Sequence, residues 1–348
     1  MNQTNKATAG ISTSKVFIPI TIGLLVVGWM FWREFDVKSF VNIDFTWTNI
    51  GFILLAGALI VFRDFWLVVR FRMMTNQELS WKQGFRVNTL KEFASTVMPT
   101  TIGGGGLIIL FLNREGINAG RSTTIAMVNL FLDNLYLILG CLIIFLFIPF
   151  AHIFNSTTVV ASSISVVFWV VFPILCIWNL TLHIGLFHRP QLIARFFRQF
   201  FRLPFLKRFQ AHALTFGDNL IEASVEIKKK SFTFWLRAFG ATTLSWSARF
   251  LVVNALFLAF DAAQGKQLII FVRQIIIFVA MVVSPTPGGS GLSEIAFKGL
   301  YSDLTLGIGP MLVIICAWRV ITYYTYLLLG VVITPRWIRR SFGKKEQQ

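Results

Sequence analysis

Long apolar runs divided by short basic connections constrain this chain more than any other feature. The hydrocarbon core of a bilayer takes a helix of roughly 20 apolar residues. Six uninterrupted runs reach that length, at about 16–32, 48–71, 123–149, 160–186, 232–260 and 308–333. With 55% hydrophobic residues, 37 Phe among 348 residues and a mean hydropathy of +0.70, a soluble globular enzyme is excluded. The first run has no small-residue cleavage site after it and more spans follow, so it reads as a membrane helix rather than a signal peptide.

Two further apolar stretches, 84–112 and 267–301, are each interrupted near the middle by Pro and Gly. The first contains KEFASTVMPTTIGGGGLIILFL and the second IIIFVAMVVSPTPGGSGLSEIAF. The apolar pieces after the breaks, Leu107–Leu112 and Leu292–Leu300, are too short to cross about 30 Å of hydrocarbon. Each stretch therefore reads as a hairpin that enters the membrane and returns, although a full helix followed by a short tilted one gives the same sidedness.

The 32 Lys and Arg against 15 Asp and Glu, a formal +17, would point to nucleic acid in a soluble chain. Here the cations fall between apolar runs and act as topology signals. Placing 1–15, 70–91, 114–121, 189–230 and 334–348 on the cytoplasmic side leaves Arg33, Lys38 and Lys266 in the loops opposite. That assignment closes only if both broken stretches end on the side from which they start. The first hairpin then enters from the cytoplasm and the second from outside, an opposition that suggests inverted repeats with a midplane site; no sequence self-similarity establishes a repeat. The fold expected is an all-α polytopic membrane protein of about six full spans plus two re-entrant helical hairpins of opposite orientation. Residues 1–348 form one integral membrane domain. The three cysteines, Cys141, Cys176 and Cys316, lie inside apolar runs and imply neither a disulfide framework nor a zinc site.

The insert 187–231 places Leu192, Ile193, Phe196, Phe197, Phe200 and Phe201 on one helical face and Arg195, Arg198 and Arg202 on the other. It reads as an amphipathic helix on the cytoplasmic surface, either a linker with charged faces or a partner for anionic lipid head groups. Asp218, Glu222 and Glu226 repeat every four residues as a solvated face. The basic tail 334–348 reads as a topology anchor.

Ionisable groups in a membrane cost roughly 2.5–3.5 kcal/mol each on insertion scales and need partners or a watery cavity. Those in the apolar runs are Arg63, Asp64, Asp133, Arg237, Arg249, Arg273, Glu294, Lys298 and Arg319, with Lys91 and Glu92 at the first hairpin's entrance. Arg63 and Asp64 point about 100° apart on a helix, so each is expected to find its partner on another element. Asp133 has Asn129 one turn earlier and Asn134 beside it, a polar stripe in an apolar helix. A buried ion pair is the plain structural alternative for each of these residues. Arg273 and Arg319 are the expected ligands for an anion, because a guanidinium fork fits phosphate and stays charged.

Gly103–Gly106 after Pro99 leaves backbone N–H groups free at a half-helix expected to begin near Leu107, where a phosphate could sit or where helices could pack closely. The second break, Pro285-Thr286-Pro287-Gly288-Gly289-Ser290-Gly291, is tolerable in a membrane only where protein buries it. Glu294, one turn on, can carry a proton or cation, cap the helix, or pair with an Arg. Catalysis finds little footing: His152, His183, His188 and His212 form no metal motif, and no nucleotide loop or nucleophile–base spacing stands out. No cofactor, metal or catalytic residue is expected.

LKEFASTVMPTTIGGGG, then REGINAGRSTTIAMVNLFLDNLYLILG, and far downstream SPTPGGSGLSEIAF together resemble the flippase-like membrane domain of the lysylphosphatidylglycerol synthase/flippase family. The resemblance covers about 48–333. Its most specific part is the P-G-G-x-G-x-x-E pattern at Pro287, Gly288, Gly289, Gly291 and Glu294; Pro99, Gly103 and Asp133 match the family's first motif. The chain departs from the family at Gly103-Gly104, where Gly-Glu is common, at Leu107, near which the family has an Arg, and at Asn129-Leu130, where Glu-Arg is common. Synthesis of a lysyl lipid is not expected, since the soluble aminoacyl-transferase domain of two-domain members is not among these residues.

The resemblance implies movement of a lipid head group between leaflets; the leading expectation is a flippase or scramblase of a bacterial cytoplasmic membrane, and the count of cations in the loops places both termini on the cytoplasmic side. The substrate-path candidates are Arg63, Asp64, Pro99, Gly103, Gly104, Asp133, Arg249, Arg273, Pro287, Gly288, Gly289, Gly291, Glu294 and Arg319. The expected partner is a membrane phospholipid or other lipid; homo-oligomerisation is left open and nucleic acid is not expected. The rival expectation is a membrane-embedded enzyme or accessory factor acting on polyprenyl-linked or phospholipid substrates, with Asp133 or Glu294 as general base. An ion or small-solute carrier is a third.

Overall fold

The computed structural model describes residues 46–98, 103–154, 158–191, 221–260, 265–304 and 308–342, with the isolated positions 195 and 219. The run at 16–32, the apolar and Arg faces of the insert apart from Arg195, Asp218, and Pro99 lie outside the described residues. Helices account for the rest, apart from turns and one bridge residue, Pro287.

Among the described residues, five helical stretches are long and apolar enough to cross a bilayer: Trp47–Met74, Ala119–Phe147, Val159–His188, Phe232–Ala259 and Pro310–Trp337. They correspond to the five uninterrupted runs inside the described residues. We label the helices α1 (Trp47–Met74), α2 (Trp81–Val97), α3 (Gly103–Arg114), α4 (Ala119–Phe147), α5 (Phe150–Ile153), α6 (Val159–His183), α7 (Phe232–Ala259), α8 (Gln267–Met281), α9 (Leu292–Tyr301), α10 (Ile308–Arg319) and α11 (Thr325–Phe342). A π-turn, Ile184–His188, extends α6, and another, Val320–Tyr324, joins α10 to α11. The last helix thus continues into the tail expected to act only as an anchor. Helix starts follow local chemistry: the Ser80, Asn118, Thr158 and Ser231 side chains accept the N–H of the third helical residue of α2, α4, α6 and α7.

Both broken stretches fold back on themselves. The arms α2 and α3 pack together, as do α8 and α9. At about 15 Å, the ten-residue α9 cannot cross a 30 Å core. Each hairpin is pinned at its base by the same device. Arg86 on α2 meets Glu115 just after α3 at 2.9 Å, and Arg273 on α8 meets Asp303 just after α9 at 2.6 Å. The two pairs span 29 and 30 residues.

The bases lie at opposite ends of α4, a 29-residue helix about 43 Å long. Its first turn carries Arg121, 2.6 Å from Glu78 in the connection that leads into α2. Beyond its last turn, the carbonyls of His152 and Ile153 accept from Arg273 at the base of the second hairpin. The tips meet between these ends: the Gly288 N–H donates to the Met98 carbonyl at 3.2 Å, and the Tyr323 hydroxyl to the Thr96 carbonyl at 3.2 Å. A span precedes and follows each hairpin, and the leading spans α1 and α7 pack along one another. The two hairpins thus approach each other from opposite ends of α4.

Apolar packing divides into two cores, one around each hairpin. One gathers Phe71, Leu79, Val87, Leu112, Ile125 and Leu132, and the other Ile60, Tyr136, Phe168, Phe257, Ile276 and Phe297. Leu54, Val61, Leu146, Phe147 and Ile177 are exposed on the outer faces of α1, α4 and α6, as a lipid-facing surface requires.

A polar layer at the meeting of two hairpins

Arg63, Asp64 and Arg70 on α1, Asp133 on α4 and Arg249 on α7 fall where the two apolar cores separate. On α1, Arg63 to Arg70 lie between Ile60 of one core and Phe71 of the other; on α4, Asp133 lies between Leu132 and Tyr136; on α7, Arg249 lies between Ala238 and Phe250. Charge buried at mid-height is tolerable only with partners, and the partners define three clusters.

In the first, Arg63 on α1 reaches Glu92 on α2 at 2.6 Å, Asp64 at 3.0 Å and the Tyr326 hydroxyl on α11 at 2.9 Å. The Tyr326 hydroxyl also lies 2.9 Å from both Asp64 oxygens. Arg63 and Asp64 therefore do contact each other, contrary to the expectation that neighbours 100° apart must part company. Arg63 bends its long side chain toward α2 and α11, and Asp64 meets it across Tyr326. Glu92 also faces Lys91 at 3.3 Å and Arg249 at 3.6 Å.

In the second, Glu294, 1% exposed, caps its own helix by accepting the Gly291 N–H at 2.8 Å and pairs with Arg319 at 2.6 Å. The Arg319 guanidinium also points at the Gly288 and Gly289 carbonyls, at 3.5 and 3.4 Å, and at the Ser293 hydroxyl. Gly288, Gly289 and Gly291 all have positive φ, which L side chains avoid, so these glycines shape the tip that Arg319 holds. Pro287 lies in the same turn and Arg319 immediately precedes the π-turn.

The third joins Arg70 on α1, fully buried, to Asp133 on α4 by two hydrogen bonds of 2.6 and 3.2 Å. Thr242 on α7 accepts from Arg70 at 2.8 Å, and the Trp246 indole donates to Asp133 at 2.8 Å.

Arg273 stands apart from these clusters. Nε donates to the Ile153 carbonyl, Nη1 to the Leu300 carbonyl and Asp303, and Nη2 to the His152 carbonyl and Asp303. That exhausts all five donors at the hairpin base, so the expected role as an anion ligand beside Arg319 gives way to a structural clamp. The break expected to leave Gly103–Gly106 outside a helix also differs, because α3 begins at Gly103 and the glycines form its first turn. Gly105 and Gly106 have open space where a side chain would be.

Sequence reasoning passed over Arg70, counted as loop, and Tyr326, Trp246 and Thr242, which carry no charge. The i, i+4 offset of Asn88 and Glu92 on α2 was the signal that the first hairpin carries a polar face. At the basic end, Asn76 hydrogen-bonds Glu226 at 2.8 Å; that bond first, then Arg121 and Lys230, holds the carboxyl below the usual range. An apolar groove of about 310 Å³ between α4, α6 and α7 is lined by Phe131, Leu135, Phe187, Trp235 and Phe239, with His183 at its edge.

All-helical, polytopic and built around two hairpins, the molecule is a multi-pass membrane protein. Residues 16–330 match the lysylphosphatidylglycerol synthase TM region, and the chain belongs to that family. A UPF0104 membrane protein of Archaeoglobus fulgidus is 24% identical over 327 residues, covering 89% of this chain and 95% of the relative. No solved structure matches.

Proposed function

We propose that this protein is a lipid flippase or scramblase that moves an anionic or phosphate-bearing head group across the cytoplasmic membrane, with both termini on the cytoplasmic side. The observation that carries this reading is the contact between the two hairpin tips, Gly288 to Met98, inside a charged layer flanked by apolar cores. Membership of a family described by the membrane region of a lipid-modifying protein supports it, as does the apolar groove beside α4, of a kind that suits an acyl chain.

In this mechanism the tails stay in hydrocarbon while the head group passes the tips along the polar layer. Parting of the tips opens the path, and the paired cations exchange internal carboxylates for the head-group anion, so the charge is never left bare in the membrane. The enzyme alternative finds less support, since both proposed bases are engaged: Asp133 by Arg70 and Trp246, Glu294 by Arg319, Gly291 and Ser293.

Purified protein in liposomes carrying head-group-labelled lipids tests the proposal. Inner-leaflet label should become accessible to an external quencher within minutes. Leaflet exchange no faster than in empty vesicles, or mass spectra showing a chemically altered lipid, would count against it.

A further inference from the structure

Glu92 is crowded in a way that Glu294 is not. One carboxylate faces Arg63 at 2.6 Å, Lys91 at 3.3 Å and Arg249 at 3.6 Å. With Asp64 the cluster sets three cations against two carboxylates, and the adjoining Arg70–Asp133 pair is neutral. One positive charge is therefore left over.

The surplus does not sit on Arg63, whose donors go to Glu92, Asp64 and Tyr326. Arg249 stands beyond hydrogen-bond distance from Glu92 and makes no hydrogen bond among the described residues. Its guanidinium lies 5.7 and 5.5 Å from the Trp246 and Phe278 ring centres, and the side chain keeps 26% exposure. One turn before Glu92 on α2, the Asn88 amide is 1% exposed and turns its NH2 toward the Asp64 carboxylate, while its carbonyl oxygen has no partner among the described residues. A loosely held guanidinium, a lysine sharing a carboxylate and a buried amide with donor capacity to spare lie around the same two carboxylates.

We propose that Lys91, Arg249 and Asn88 bind the phosphate of a lipid phosphodiester monoanion, and that Glu92 holds the place until it arrives. This rests on the transport reading above. The incoming phosphate takes over Lys91 and Arg249, Asn88 donates to it, and Glu92 stays with Arg63. Arg249, 3.6 Å from Glu92, and Lys91, which shares that carboxylate through one long hydrogen bond of 3.3 Å, both gain from phosphate oxygens that come closer. Charge sets the selectivity. A monoanion neutralises the surplus, a dianionic phosphomonoester overshoots it, and a zwitterionic head group brings an ammonium toward a site that is already positive.

Titration of the full chain in detergent with dihexanoylphosphatidylglycerol, dihexanoylphosphatidylcholine and glycerophosphoglycerol tests the assignment by native mass spectrometry or calorimetry. The phosphatidylglycerol probe should bind at least tenfold more tightly than the phosphatidylcholine one. Arg249→Gln and Lys91→Gln should each remove about that advantage, Arg249→Lys should restore part of it, and Glu92→Gln, which removes the competitor, should tighten binding severalfold. If Glu92→Gln is not recovered folded, the Arg249 pair decides. Equal affinity for both lipids, or an advantage untouched by either glutamine variant, would overturn the site. Glycerophosphoglycerol binding as tightly as the lipid would overturn the lipid as occupant. In parallel liposome assays, wild type that scrambles alongside variants that scramble and select identically sinks this site alone. Selective binding without scrambling sinks the transport reading alone.

Discussion

Arg319 and Arg249 are both guanidiniums in apolar helices, yet the first has its donors taken and the second does not. Arg319 with Glu294 is a structural lock on the second hairpin tip. Truncating Glu294 to Ala leaves a buried charge unpaired, which costs roughly 3–5 kcal/mol. Thermal unfolding in detergent should show a large loss for Glu294→Ala and a smaller one for the double variant Glu294→Leu/Arg319→Met; equal losses would contradict the lock. The sequence showed that Arg63, Asp133, Glu294 and Arg319 lie in apolar surroundings, because hydropathy marks any charge inside a span. It could not show their partners. Arg70–Asp133 joins residues 63 positions apart and Arg63–Tyr326 joins residues 263 apart, and such pairing is fixed by helix packing rather than local pattern.

Among the elements, the hairpins were the most legible, since Pro and Gly inside an apolar run are tolerable in a membrane only as a buried break. Their tip contact was not, because it joins backbone groups. Gly288 makes that contact: an added Cβ would overlap the Tyr323 ring, whereas at Gly289 it would meet only Ser293 at ordinary contact distance. Gly288→Ala should therefore abolish lipid movement, while Gly289→Ala, with only its positive φ to accommodate at roughly 1–2 kcal/mol, should retain part of it. Equal effects in the liposome assay would remove the tip contact from the mechanism. Arg273 belongs to this scale too. Arg273→Met should lower stability by several kcal/mol, about as expected for a broken buried pair, and leave head-group preference in the folded fraction unchanged.

Among the described residues the molecule is a pair of span–hairpin–span units set against each other, with different charged groups at its two ends. Glu78, Arg86, Arg121, Glu226 and Lys230 gather at the end that holds the first hairpin base, whereas Asp303 and Lys266 mark the other. The positive-inside rule applied to the loops predicts that the first of these ends faces the cytoplasm. Helix packing and the apolar split into two cores were beyond sequence reach, because every span is apolar on its lipid face as well as its protein face. Opposed hairpin entry is the claim on which the transport path depends. In a chain with Cys141, Cys176 and Cys316 replaced by Ala, single cysteines at Lys82 and at Ser302 report the two hairpin bases. A membrane-impermeant maleimide applied to intact cells should label Ser302→Cys and reach Lys82→Cys only after permeabilisation. Labelling of both positions from the same side would place the hairpins in one leaflet and remove the path between them.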